Sequence, residues 1–599
     1  MARSNRRGGR GDPEDDPAWA PPGHRCAGER AVGGPTVIPR AYLPAVPAGG
    51  NESRAFQGRF VDPWFSGIRT GYVIWDGGRL LGVTRNEPEH ADVIDVDGII
   101  CPGFVDAHVH VESSGLRPAR YAEIVVREGT TAVVWDPHEV VNVSGELGLE
   151  WAVKTAEEAL PFKFYIALPS CVPALGPPYE TVEGEITVDV ARKFASHPMV
   201  VSVGELMDVA GVMEGEKDEF IELKSLYGLT VDGHAPGLTG FEAMRYFAAG
   251  PETDHECSTA EEFTSRRELG VWTFVRQGSS SKDMEVALET LEDLRGVCFV
   301  TDDLHVKDMD EISLRKIVGR AIEAGFDPLE SLSAVTLNPS LCYGLQSGRL
   351  VPGFHADIVV VEDLDENMEL TDVWIGGKRS ERVRFRDAEA ELPDVELSVD
   401  PREVSFQDGK YEVRCVGLVR GSIRTEEIVR EITVKDGAVK DDDVAFLVVT
   451  DRYGQGSWSI GFVEGFEELD CAVVSTVAHD SHNVVVAGRR LDDVRRALQL
   501  VSEVGGCVGA VAGDRAEFVR LDVAGLMSSS DPEEVKKSYE DVLELIRSSS
   551  GVDWDPFQAL SFVTLPVVPE LRLTDRGLVK VEPDEIRFVD IITDGDPVE

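Results

Sequence analysis

Between residues 101 and 344 the chain alternates short apolar runs with helix-period stretches, and an ionisable cluster follows several of the runs. The runs at 131–135, 164–168, 200–203, 229–231 and 297–300 have the length and β-branched content of buried parallel strands. Stretches such as 151–159 and 187–194 carry apolar residues at helical spacing. Roughly 240 residues of this pattern match the ~250 typical of a (β/α)8 barrel, with a doubly wound open sheet as the competing architecture.

At the head of the alternation stands Cys101-Pro-Gly-Phe-Val-Asp-Ala-His-Val-His110. Ile99 and Ile100 read as a buried strand, and Pro102 and Gly103 bend its continuation. Alternate side chains of a strand share a face, so His108 and His110 point together at a strand's C-terminal end, with Asp106 placed to orient a ligand. Later runs end on Asp136-Pro-His138-Glu139, Gly204-Glu205, Asp232-Gly-His234 and Thr301-Asp302-Asp303, and Asp254-His255-Glu256 follows a short segment after Gly250. In a barrel the C-terminal strand ends converge on one mouth. His108, His110, Glu205, His234, His255 and Asp302 are therefore expected to share one metal site. Each of them alone is as well explained by a structural histidine or a helix cap.

The flanks have a different character. Residues 71–75, a turn at Asp76-Gly77-Gly78 and residues 79–83 read as a hairpin, and strand-like runs return at 348–361 and 373–377. One sheet assembled from 53–100 plus 345–395 is expected around the 101–344 barrel. Residues 396–599 read as a further α/β domain, with strands at 444–449, 472–475 and 484–486 and a helix at 491–504. Residues 1–52, rich in Arg, Gly and Pro, read as a disordered arm.

Composition excludes several functions. The 599 residues carry 108 acidic against 59 basic side chains, a formal charge of −49. Such a surface repels nucleic-acid phosphate and anionic membranes, and it suits a salt-rich cytoplasm. No apolar run reaches 18 residues, and no apolar stretch follows the N-terminal arginines, so neither a membrane helix nor a secretory signal is expected. Nine cysteines without a Cys-x-x-Cys pair fit reduced thiols in a cytoplasm.

The ordered motifs 102–114, 136–139, 168–173, 203–207, 232–238, 254–257 and 301–303 resemble the amidohydrolase superfamily, and within it the bacterial and archaeal adenine deaminase family. The likeness extends to His-Asp-Ser-His-Asn at 479–483, to 524–528 and to 560–571. It implies a barrel with a flanking β-sandwich, a cytoplasmic enzyme of purine salvage, and hydrolysis of adenine to hypoxanthine and ammonia by a metal-bound hydroxide attacking C6. It also implies two divalent metal ions, Mn2+ foremost, with Fe2+ or Zn2+ as alternatives. His108 and His110 would hold one with Asp302, His234 and His255 the other, and Glu205 would bridge them. Lys163 is the competing bridge.

For the chemistry, Asp302 is the expected base, with Glu205, His138 and Glu139 completing the catalytic set; His138, Glu139 and Glu112 would contact the ring or donate a proton to it, or else orient the metal ligands. Three places depart from the pattern of the relatives: Leu304-His305-Val306 after the paired acids, Glu311 to Arg315 at the next helix, and Gln277. His479 and His482 would bind a further metal, reach the barrel mouth, or form a structural turn. The alternative function is hydrolysis of another cyclic amide, amidine or N-acyl substrate; a barrel without catalysis would lack ligands that are present here. A homo-oligomer, by default a dimer, is expected.

Overall fold

The computed structural model describes residues 53–65, 67–389, 391–420, 422–582 and 585–593; the expected arm at 1–52 lies outside them. Five parallel strands follow one another in order: β1 (Phe104–Val109), β2 (Thr130–Trp135), β3 (Lys163–Leu168), β4 (Val200–Leu206) and β5 (Thr230–Gly233). A second parallel sheet holds β6 (Thr253–Asp254), β7 (Trp272–Arg276) and β8 (Val297–Val300). The two sheets curl toward each other. Glu252 N–H donates to Val231 O at 2.8 Å on one side, and Asp302 N–H to His108 O at 3.1 Å on the other.

The two faces of these strands separate into two apolar clusters, as a period of two requires. Val105, Ala107, Ala132, Val134, Ala167, Phe274 and Val300 fill the inner face. Phe104, Val133, Trp135, Phe164, Ile166 and Phe299 face the surrounding helices. All residues of β1 to β5 and of β8 are buried, which explains why these strands read as continuous apolar runs.

The flanking strands do join one sheet. It has seven strands, and its middle strand, Asp92–Pro102, lies between Arg54–Phe60 and Ile358–Val361. The hairpin turn falls where expected, with Asp76 opposite Arg79 and both central glycines at positive φ. One expectation needs correction. Ile99 and Ile100 belong to this outer sheet, and the histidine-bearing strand starts afresh at Phe104. The chain changes sheets at Gly103, where a Cβ would stand 2.3 Å from Thr131 Oγ1.

At the start of β3, the fully buried Lys163 ammonium pairs with Asp357, whose Oδ1 accepts the Gly376 N–H at 2.9 Å. Lys163→Met would leave a buried carboxylate without its cation. We expect a loss of about 3–5 kcal/mol in denaturant unfolding; an unchanged midpoint would show that the pair is energetically idle.

Residues 409–520 form a nine-stranded sheet, packed by helices Leu491–Val504 and Pro532–Ser549. The segment that follows this sheet meets the chain just after β1, where Ser528 N–H donates to Gly115 O at 2.8 Å and Arg117 N–H to Ser528 O at 3.1 Å. Among the described residues, no helix is long and apolar enough to cross a membrane.

Candidate metal centre

The end of β1 sets the first half of the site. His108 Nε2 and His110 Nε2 lie 3.5 and 3.3 Å from Asp302 Oδ1. Asp106 points elsewhere: it accepts from Thr301 Oγ1 at 2.6 Å and from the Thr301 and His108 amides at 3.3 and 3.4 Å. It therefore orients a ligand through the backbone, by tying the residue before Asp302 to β1. Asp302 itself sits at φ 53°, a left-handed conformation unusual for a side-chain-bearing residue. The hydrogen bonds from Asp302 N–H to His108 O and from His110 N–H to Asp302 O hold it there.

Glu205, at the end of β4, stands between two histidine pairs. Its Oε1 is 3.3 Å from His110 Nε2 and 4.0 Å from His108 Nε2. Its Oε2 is 2.6 Å from His234 Nδ1 and 3.2 Å from His255 Nε2. Asp136 fixes the Glu205 backbone by accepting its N–H at 3.2 Å. Gly204 is required beside it, because a Cβ there would lie 2.3 Å from Asp136 Oδ2. Burial raises the cost of ionising Glu205 and Asp302, yet the surrounding imidazoles hold both carboxyls well below the usual range.

The six expected ligands are thus brought together, and Lys163 is not among them. The site also fits a metal on its own evidence. His108 Nε2, His138 Nδ1 and Asp136 Oδ1 are buried without a hydrogen-bond partner, although buried polar atoms are normally satisfied. Ligand atoms of His108, His110 and Asp302, and of His108, Glu205 and His255, lie within 4.8 Å of one another. Imidazole and carboxylate donors suit first-row divalent cations.

Several neighbours were not legible in the sequence. Glu256 Oε1 lies 3.2 Å from His255 Nε2 and 3.8 Å from His234 Nδ1. Arg276, at the end of the unforeseen strand β7, binds Glu256 and reaches to 3.6 Å from Asp302 Oδ2. Burial opposes ionisation of Glu256, but Arg276 and His234 bring its carboxyl down to about 2. The adjacency of Glu256 to a ligand was the available signal; for Arg276 it was the adjacency to Gln277, one of the departures near the expected pocket.

His138 Nδ1 is 3.5 Å from Glu205 Oε1 and from Asp136 Oδ1. Glu139 meets the C-terminal region: His479 Nδ1 is 2.5 Å from its Oε1, and His482 Nε2 bonds its Oε2. Both histidines of this pair thus reach the mouth through Glu139. Glu112 accepts from Trp135 Nε1–H at 2.7 Å and from Val140 N–H at 3.1 Å, and burial pushes its carboxyl up to about 7.

A cavity of about 150 Å³ opens between the mouth and the C-terminal region, lined by Ser113, Asp303, His305, His479, Tyr539 and Phe562 among others. Of the departures from the relatives, His305 lines this cavity. Arg315 instead pairs with Glu128 at 2.8 Å, in the turn that precedes β2.

Curled parallel sheets whose strand ends gather four imidazoles around two carboxylates define a metal-dependent hydrolase. Residues 99–379 match the amidohydrolase family, and residues 422–585 match the adenine deaminase C-terminal domain. The chain is 37% identical over 528 residues to the adenine deaminase of Methanothermobacter thermautotrophicus, covering 85% of this chain and 95% of that one. It is 33% identical over 551 residues to that of Listeria monocytogenes serotype 4b, covering 87% and 93%. A solved β-aspartyl dipeptidase from Fervidobacterium islandicum AW-1 aligns with TM-score 0.42 and 16% identity, over 57% of this chain and 100% of that one. The chain belongs to the adenine deaminase family.

Proposed function

We propose that the protein hydrolyses adenine to hypoxanthine and ammonia. The observation that carries this reading is Glu205, set between two histidine pairs in a chain 37% identical to an adenine deaminase over 95% of its length. His108, His110 and Asp302 would hold one divalent cation and His234 and His255 another, with Glu205 between them; Mn2+ is the first choice and Fe2+ or Zn2+ the alternatives. Such cations supply Lewis acidity that makes water nucleophilic near neutral pH.

The remaining steps fall to side chains. Ionised Asp302 accepts a proton from the attacking water as its oxygen bonds to C6. The same proton passes to the exocyclic nitrogen, the C6–N bond breaks, and ammonia leaves. Arg276, 3.6 Å from Asp302 Oδ2, restrains the carboxylate while it exchanges that proton. His138 and Glu139 border the same mouth. We also infer that the two curled sheets complete one (β/α)8 barrel, flanked by the 53–100 plus 345–395 sheet and the 396–599 domain. The backbone hydrogen bonds between β5 and β6 and between β8 and β1 support that closure.

Protein stripped of metal with a chelator and reloaded with Mn2+ or Fe2+ is offered adenine. Hypoxanthine and ammonia are expected in equal amounts from the reloaded protein and neither from the stripped one. Silence with both cations bound would overturn the substrate assignment.

A further inference from the structure

Glu139 and Asp480 are two buried carboxylates on facing parts of the molecule, 2% and 7% exposed. Glu139 lies in the first turn of helix His138–Glu158, and Asp480 in the loop between strands Ala472–Ser475 and Val484–Gly488. Among the described residues, neither has a lysine or arginine within ion-pair range. The partners of Glu139 are imidazoles: His479 Nδ1 at 2.5 Å, His138 Nε2 at 3.5 Å, and His482 Nε2 on its second oxygen. The partner of Asp480 is His479 Nδ1, at 4.0 Å. Buried carboxylates without a fixed cation are costly, and proteins commonly resolve the cost by coordinating a metal.

The donors converge as such a site requires. Ligand atoms of His138, Glu139 and Asp480 all lie within 4.8 Å of one another. His479 stands outside that trio but beside it, its Nδ1 2.5 Å from Glu139 Oε1 and 4.0 Å from Asp480 Oδ1, where it would supply a fourth donor. His138 is nine-tenths buried, and its Nε2 faces Glu139 Oε1 at 3.5 Å. Two imidazoles and two carboxylates form a donor set suited to first-row divalent cations, and the pair of negative charges matches the cation's two positive ones.

We propose that His138, Glu139, His479 and Asp480 hold a third divalent cation, separate from those of the Glu205 centre, which fastens the C-terminal region to the barrel mouth. His482 takes the second oxygen of Glu139 and so orients it for the metal. His138 links the two sites: its Nε2 faces Glu139, and its Nδ1 faces Glu205 at 3.5 Å. His138 and Glu139 then act on the reaction through the cation they hold.

The test is a metal count. Metal-free protein is loaded with Mn2+ alone, dialysed, and its manganese measured per chain by elemental analysis. Wild type is expected to retain three equivalents, and Asp480→Asn and His479→Gln two each, with circular dichroism unchanged. An electron paramagnetic resonance titration of wild type, which needs no variant, should saturate at three. Saturation of wild type at two overturns the proposal. So does retention of three by both variants, or two equivalents throughout with the variants' effect confined to the KM for adenine, which would place these side chains on the substrate. The count does not depend on turnover. Three equivalents in a protein silent toward adenine would leave the third site standing and remove the substrate assignment alone.

Discussion

Glu205→Gln should cost the protein at least one equivalent of bound metal at the Glu205 centre and reduce adenine turnover about 10³-fold, the equivalent of roughly 4 kcal/mol of lost transition-state stabilisation. The substitution keeps the shape of the side chain and removes its charge. It leaves one amide oxygen where two carboxylate oxygens face separate histidine pairs, His108 with His110 and His234 with His255. An amide NH2 turned toward either pair presents a donor where a cation needs a lone pair. Metal content and turnover should fall together, and excess Mn2+ should restore only part of the activity. Full activity with the complete metal complement would remove Glu205 from the bridging position.

Asp302→Asn has the second largest expected effect, about 10²–10⁴-fold in kcat for loss of a general base, plus any loss from weakened metal binding. The backbone at Asp302 is held by two inter-strand hydrogen bonds that an asparagine keeps, and asparagine tolerates the left-handed conformation. The fold should therefore survive and the fall should appear in kcat. Near-native turnover would transfer the base to Asp303, whose Oδ1 already accepts from Ser113 Oγ at 2.5 Å and which lines the same cavity.

The sequence announced its strands where they were fully buried, because burial on both faces leaves an uninterrupted apolar run. The runs at 297–300 and 472–475 and the helix at 491–504 coincide with the observed elements. Metal ligands were legible for a related reason: His108, His110, Glu205, His234 and Asp302 follow at or near the end of such a run, so fold and chemistry are written in adjacent residues, whereas His255 follows the short polar strand Thr253–Asp254. Strand β7 was missed because its five residues begin on a partly buried Trp272 and end on Arg276, which reads as a loop. The strand break at Gly103 was missed because two apolar strands on either side of Pro102-Gly103 look like one bent strand. What no local pattern could reveal is which distant surfaces meet. Glu139 and His482 are 343 positions apart, and nothing near either one specifies the other.

That separation has a consequence for the order in which the enzyme is made. Translation runs at about 5–20 residues per second, so roughly 20–70 s pass between the synthesis of Glu139 and that of His482. All six residues of the Glu205 centre precede the C-terminal region, and they exist before anything can cover them. The nascent chain thus offers its ligands to the surrounding metal pool while the mouth is open, and the last third of the protein closes over a centre already able to fill.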